Sequence, residues 1–244
     1  MRMFRAGMIA LAMMGSVAAT PAAAAIVVSV GQAGSATASL PGYNFYVDNL
    51  DSSVNGLPTL AFSGSSITGT RTSGFTNVAG ANVYGGAGAT GLFGTIQGDP
   101  AAYQLSQSVN YFGLWGSALD GNNTVELYDN DTLLGSYALQ SVLQNSSNFN
   151  AGYYGNPFAG GNSGELYAFF NFQSDTAFNR IQLVQDGGGG FEFDNLTVGS
   201  AVVSTAPEPA TWAMMLLGFG AIGMTLRTRR MRSTIPLRMA ADHR

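Results

Sequence analysis

Turn-forming residues divide the central part of the chain, residues 26–198, into short segments, and this pattern restricts the fold more than any other feature. Two such turns are Asp-Gly-Asn-Asn at residues 120–123 and Asp-Asn-Asp at residues 129–131. The segments beside them alternate apolar and polar residues, which places apolar side chains on one face of a β-strand. Because no segment of this region has the period of an amphipathic helix, we predict an all-β fold.

The predicted strands share this alternation and end near glycine, asparagine or proline. They cover residues 26–30, 43–47, 59–62, 82–84, 104–115, 124–128, 133–139, 166–172, 181–185 and 191–198. We also predict a short helical turn at residues 141–145, and long loops at 80–98 and 148–164, which are rich in glycine or asparagine. Many short strands within roughly 180 residues predict a β-sandwich around one core.

The first 25 residues have the composition of a secretory signal peptide. Arg2 and Arg5 precede an apolar stretch at residues 6–17, and alanines at residues 22–25 close it. A positively charged start, a short apolar core and small residues are the three parts of a signal for export through the Sec translocon. We predict cleavage after Ala24 or Ala25 and a mature chain that starts near Ile26.

A second apolar run lies near the other end of the chain, at residues 212–226. It contains no charged residue, and four arginines follow it: Arg227, Arg229, Arg230 and Arg232. As a helix the run would be about 22 Å long, against about 30 Å for the hydrocarbon core of a membrane. Arginines beside a span mark its cytoplasmic side, and Trp212 suits the membrane interface. We therefore predict a transmembrane helix at 212–226 within a sorting segment at 204–232, followed by a cytoplasmic tail at 233–244.

This segment resembles the PEP-CTERM sorting signal, which is also described as the ice-binding protein C-terminal domain. The resemblance is carried by Pro207-Glu208-Pro209, by Trp212 and by the arginines Arg227, Arg229 and Arg230. It implies that an exosortase of a Gram-negative bacterium recognises the signal, cleaves near residues 207–209 and delivers the exported part to the cell surface or extracellular matrix. The inner membrane would then hold the chain only transiently. The alternative is a protein that stays uncleaved in the inner membrane.

Residues 112–198 resemble the jelly-roll surface domains of lectins and carbohydrate-binding modules. The resemblance is carried by Phe-Gly-Leu-Trp at 112–115, Val-Glu-Leu-Tyr at 125–128 and Phe-Glu-Phe-Asp-Asn-Leu-Thr-Val at 191–198. It implies a jelly-roll-like β-sandwich at residues 26–203 with a structural, adhesive or weakly glycan-binding role. Because aromatic rings commonly pack against sugars, Tyr153 and Tyr154 in the long loop are the predicted contacts for an extracellular polysaccharide.

The numbers of charged, histidine and cysteine residues in this domain exclude several classes of function. It has twelve acidic residues but only two arginines, Arg71 and Arg180, and the whole chain has no lysine and no cysteine. The negative charge repels phosphate backbones, so we predict no nucleic-acid partner. The one histidine, His243, lies in the tail, which leaves the domain without a Ser-His-Asp triad, a catalytic cysteine or a His/Cys zinc site. We therefore predict that the protein is not an enzyme and has no required cofactor.

Carboxylates leave two alternatives open. Glu192 and Asp194 lie on the same face of a predicted strand, and two carboxylates are sufficient for glycoside hydrolysis, so a carbohydrate-active enzyme is the alternative function. Asp48 and Asp194 are the candidates for a structural calcium site, because calcium binds carboxylate and carbonyl oxygens. Aspartate in turns also accepts N–H bonds from its own backbone, which is the simpler explanation for both residues.

Overall fold

Antiparallel β-strands are the main secondary structure in the part of the chain that the computed structural model describes, residues 25–201 and 209–231. The strands are β1 (Ile26–Val30), β2 (Tyr43–Asp48), β3 (Thr59–Ala61), β4 (Thr68–Ser73), β5 (Asn77–Gly80), β6 (Leu92–Ile96), β7 (Ala101–Leu119), β8 (Asn123–Asp129), β9 (Thr132–Ala138), β10 (Leu166–Gln185) and β11 (Phe191–Ala201). The helices are α1 (Leu139–Gln144), a 3₁₀ turn (Ala151–Tyr153) and α2 (Pro209–Met231). The chain divides into two units after Ala201, and each is described by itself.

The strands of the first unit belong to one hydrogen-bonded sheet of eleven strands. Its main path is β5-β6-β11-β7-β10-β8-β9, while β1 pairs with β10, β2 with β11, and β4 with both β3 and β7. The prediction of an all-β fold is therefore confirmed for this unit, and the structure shows that the strands are antiparallel. The two separate sheets of a jelly-roll sandwich are not confirmed. The strands β7 and β10 are each continuous, and they pair with different strands near their two ends.

The strands β7 and β10 connect the two halves because each has different neighbours along its length. The second half of β7 lies between β11 and the first half of β10, which also pairs with β1. The first half of β7 lies between β4 and the second half of β10, which also pairs with β8. The register shifts between Gln173 and Phe178, and such bulges bend a strand without ending it. Residues 166–172 and 181–185, predicted as two strands, are for this reason parts of one.

Side chains of the central strands fill two clusters on opposite faces of the sheet. The main core contains Phe112, Leu114, Phe172 and Phe193, together with residues from both halves of the structure. A smaller cluster contains Trp115, Ala118, Tyr167 and Phe169, and Phe158 from a loop packs against it. Because neighbouring residues of a strand point to opposite sides, Leu114 and Trp115 belong to different clusters. The second face is thus also covered, by loops rather than by strands.

The strands β4, β5 and β6, between residues 68 and 96, were not predicted from the sequence. A strand was predicted at residues 82–84 instead. Glycine is frequent here, and the strands depend on their partners: β4 pairs with β7, β5 with β6, and β6 with β11. Residues 82–84 form a turn in which the Asn82 side-chain oxygen accepts a hydrogen bond from the Tyr84 amide at 2.8 Å. Pairing with distant strands outweighs local β-propensity in this region.

The predicted C-terminal helix is present as α2 and extends beyond residues 212–226 at both ends. In the described part of the chain, however, no helix combines the length and the apolar character needed to span a membrane. The transmembrane assignment of 212–226 is therefore not confirmed; the uncharged run is shorter than the roughly 20 residues that a typical span contains. The predicted signal peptide, apart from Ala25, and the predicted tail at 233–244 lie outside the described residues.

A pair of glycines tests the packing between β6 and β11. A Cβ atom added at Gly94 in β6 would lie 2.7 Å from the ring of Phe193, whereas one added at Gly80 in the neighbouring β5 would meet no atom within 4 Å. We expect Gly94→Ala to lower the free energy of unfolding by about 1–3 kcal/mol, because the buried ring has to move. Gly80→Ala, the matched control, should change it by less than about 0.5 kcal/mol. Urea unfolding of the full chain measures both, and equal effects would contradict this packing.

Candidate functional site

A pocket of about 300 Å³ opens beside the first residues of β11. The lining residues are Tyr84, Gln97, Ala118, Asp120, Glu165, Gly189, Gly190 and Glu192. Its three carboxylates come from distant parts of the sequence: Asp120 follows β7, Glu165 precedes β10, and Glu192 lies in β11. We call this the acidic pocket. Tyr84 as a residue is 51% exposed, so the pocket combines acidic oxygens with an accessible aromatic residue.

The surroundings of Glu192 in the acidic pocket disfavour the ionised form of its carboxyl group. Burial raises the pKa of Glu192 to about 7, and the negative charges of Glu165 and Asp120 act in the same direction. Both effects disfavour the ionised form. The hydroxyl of Thr95 donates a hydrogen bond to Glu192 Oε1 at 3.4 Å. Near neutral pH, Glu192 therefore exists in both forms and can donate a hydrogen bond as well as accept one.

The other walls of the acidic pocket are fixed by hydrogen bonds. The side-chain amide of Asn162 donates to Glu165 Oε2 and, at 2.5 Å, to the hydroxyl of Tyr167. This hydroxyl donates in turn to the carbonyl of Val83 at 2.8 Å, next to Tyr84. The loop that carries Tyr84 is thereby attached to β10 through the backbone of its neighbour Val83.

Asp194 lies on the same face of β11 as Glu192 and holds a loop in place. Its Oδ2 accepts a hydrogen bond from the Ala87 amide at 2.8 Å, and its Oδ1 accepts one from the Asn195 amide at 2.6 Å. Burial raises the pKa of Asp194 to about 7, and the charges of Asp51 and Asp48 contribute to the increase. Asp194 thus connects the loop that contains Tyr84 to the strand that contains Glu192.

Asp48, on the neighbouring strand β2, also accepts hydrogen bonds from two backbone amides. It lies opposite Leu196 of β11. Its Oδ1 accepts from the Leu50 amide at 3.0 Å, and its Oδ2 accepts from the Ala61 amide at 2.6 Å. Burial raises the pKa of Asp48, while these two hydrogen bonds lower it. The structure places Asp48 and Asp194 on adjacent strands, with the oxygens of both carboxylates bound to backbone amides.

The described residues contain no group of three or more acidic, histidine or cysteine side chains arranged to hold a metal ion. Calcium takes six to eight oxygen ligands, and the amides of Leu50, Ala61, Ala87 and Asn195 already bind the oxygens of the two candidate aspartates. The geometry therefore favours loop anchoring for Asp48 and Asp194, and calcium at this pair stays a prediction.

The two tyrosines predicted to contact glycans lie outside the acidic pocket and differ from each other. Tyr153 is buried; its hydroxyl donates to the carbonyl of Gly31 at 2.7 Å and accepts from the side-chain amide of Asn148 at 2.7 Å. Its ring stacks on Phe149. Because this ring is inside the domain, Tyr153 packs the loop and does not present a sugar-binding surface. Tyr154 is 45% exposed and keeps an accessible ring.

The residues of the predicted sorting motif lie at the C-terminal unit. Pro207 and Glu208 are outside the described residues, whereas Pro209, Trp212, Arg227, Arg229 and Arg230 are within α2. The family model of the PEP-CTERM protein-sorting motif matches residues 205–230. The chain therefore carries this motif, which indicates export and sorting to the cell surface by an exosortase.

Comparisons over the rest of the chain give little similarity. No curated protein matches the chain. One solved structure, the catalytic domain of a GH87 alpha-1,3-glucanase in complex with tetrasaccharides, is 17% identical, with a TM-score of 0.34. The match covers 72% of this chain and 30% of that chain, so this chain spans less than a third of its length. At this TM-score the likeness carries no argument about function.

The raised pKa values of Glu192 and Asp194 predict how stability depends on pH. Their ordinary values are 4.5 and 3.8, and their values in the folded protein are about 7. Between about pH 4 and pH 7, the folded protein holds protons that the unfolded chain has released, so stability decreases as the pH rises through this range. We expect a higher melting temperature at pH 5 than at pH 8, and a smaller difference in Glu192→Gln. Asp99→Asn, which removes an exposed charge, should leave the difference unchanged. A melting temperature that increases from pH 5 to pH 8 would contradict these shifts.

The variant Asp48→Asn, which replaces one carboxylate oxygen by an amide nitrogen, tests whether Asp48 binds backbone amides or a calcium ion. In Asp48→Asn one of the two amides, of Leu50 or Ala61, loses its acceptor, which should cost about 1–3 kcal/mol of stability. We expect the same loss in EDTA and in millimolar calcium, measured by urea unfolding against Asp99→Asn. A clearly larger loss in calcium would instead support a calcium ion at this position.

Proposed function

We propose that the protein is exported through the Sec translocon, processed by an exosortase near residues 207–209, and placed at the outer surface or in the extracellular matrix, where its β-domain binds a glycan in the acidic pocket. The PEP-CTERM motif at residues 205–230 supports the sorting part of this proposal. The acidic pocket supports the binding part. The role is adhesive or structural, with extracellular polysaccharide as the partner.

The acidic pocket supports glycan binding because it offers both kinds of contact that sugars use. The exposed ring of Tyr84 can pack against the C–H face of a sugar ring. The side chains of Gln97, Glu165 and Asp120 offer acceptors for hydroxyl groups, and protonated Glu192 offers a donor. The carboxylates also restrict the ligand: an anionic polysaccharide would be repelled, so the pocket favours a neutral or amino-substituted glycan.

Binding to a glycan array and to the polysaccharide of the producing cells tests this proposal. We expect Tyr84→Ala to weaken binding by about tenfold, because a lost ring contact of this kind is worth about 1 kcal/mol or slightly more. Tyr154→Ala is the matched control, since it removes another exposed tyrosine outside the pocket. If Tyr154→Ala weakens binding and Tyr84→Ala does not, the glycan binds to the long loop instead. If neither variant changes it, the acidic pocket is not the site.

A carbohydrate-active enzyme is the second candidate function, and the pKa of Glu192 is the observation that favours it. A carboxyl group with a pKa near 7 can act as a general acid, and the carboxyl groups of Glu165 and Asp120 line the same pocket as candidates for the second carboxylate. New reducing ends, released from a bound polysaccharide, would show hydrolysis. For an enzyme, Glu192→Gln should abolish this release while binding persists; for a binding protein, the wild type should release none.

A further inference from the structure

Ala25, the residue before β1, is bound at both its amide and its carbonyl by a single residue. Its backbone nitrogen lies 2.9 Å from Asp175 Oδ1, and its carbonyl accepts a hydrogen bond from the Asp175 amide at 3.2 Å. In the pairing of β1 with β10, Ile26 lies opposite Ser174. Ala25 and Asp175 therefore continue this antiparallel pairing by one residue. Asp175 is exposed, and its carboxylate faces the backbone nitrogen of Ala25.

We propose that the signal peptide is removed between Ala24 and Ala25 and that Asp175 then binds the new α-ammonium group of Ala25. The proposal rests on export as given in the proposed function. In the cleavage, water hydrolyses the peptide bond: the carbonyl carbon of Ala24 becomes a carboxylate, and the nitrogen of Ala25 becomes an ammonium group. The hydrogen bond to Asp175 thereby becomes an ion pair at the start of the mature chain.

The sequence permits cleavage after Ala24 or after Ala25, and the contacts of Ala25 favour the first position. The alanines at residues 22–25 place small residues before either bond. Cleavage after Ala25 would remove the residue that Asp175 binds, and Asp175 would lose both of its hydrogen bonds with Ala25. Cleavage after Ala24 preserves both hydrogen bonds and adds a positive charge to one of them.

The surroundings of Asp175 favour a cation at this point. The hydroxyl of Thr176 donates to Asp175 Oδ1 at 3.1 Å and so orients the oxygen that faces Ala25. The exported domain has twelve acidic residues against Arg71 and Arg180, so an α-ammonium group would be attracted by the domain as a whole. An adjacent carboxylate raises the pKa of an amine, whose ordinary value at a chain terminus is about 7.7–8.0.

The composition of the chain makes this terminal amine directly measurable. Because the sequence contains no lysine, the α-amino group is the single primary amine of the mature protein. Reductive methylation with ¹³C-formaldehyde therefore labels one nitrogen, and its NMR signal reports the pKa of that amine during a pH titration. The protein is isolated from the envelope of the producing cells, and its intact mass gives both ends of the mature chain.

We expect a mature chain that starts at Ala25 and an amine whose pKa is at least about 0.5 units higher in the folded wild type than in urea. Asp175→Asn should abolish most of this difference. Asp186→Asn, which removes another exposed charge just beyond the far end of β10, should preserve it. A start at Ile26, or equal pKa values in the two variants, would overturn the proposal and leave export and sorting intact. A chain that retains Met1 would contradict the proposal and export together.

Discussion

The antiparallel pairing of β7 with β10 is the contact on which the rest of this domain depends. The two strands have 19 and 20 residues, so each would extend for about 65 Å if it were straight. Bulges on both strands bend them, and the register is restored on either side. Every other strand of the described domain pairs with β7 or β10 or is connected to them through a neighbour. The strands beside the two ends of β7 and β10 are therefore parts of one hydrogen-bonded network.

The alternation of side chains along β11 explains how one strand serves both the core and the candidate site. Phe191 and Phe193 are buried in the main core, whereas Glu192 and Asp194 lie on the opposite face, where loops cover the sheet. Burial of carboxylates opposes their ionisation, and the pKa of each of these two acids is raised to about 7. Asp194 offsets part of this cost through its two amide hydrogen bonds. Glu192 lies at the wall of the acidic pocket, where its own backbone amide and the hydroxyl of Thr95 donate hydrogen bonds to its carboxylate.

Features that are contiguous in the sequence could be predicted, and features that depend on distant pairing could not. The alternating segment at 124–128 and the turn at 129–131 can be recognised from adjacent residues alone, and they form β8 and the hairpin to β9. The PEP-CTERM motif is likewise contiguous and is confirmed by its family model. The short strand β6 has no such pattern, because it is stabilised by β5 and β11. The acidic pocket was missed for the same reason: Asp120, Glu165 and Glu192 meet only after β7, β10 and β11 have paired.

Hydrogen exchange on the full chain tests directly whether β7 and β10 unite the domain. If the two halves form one cooperative unit, amides of β10 at residues 166–172 and at 181–185 should exchange through the same global opening, with rates within about tenfold of each other. The bulge between Gln173 and Phe178 would then be a bend within one stable strand. Exchange of one half at a rate hundreds of times faster than the other would show that the halves open independently, and would contradict this account.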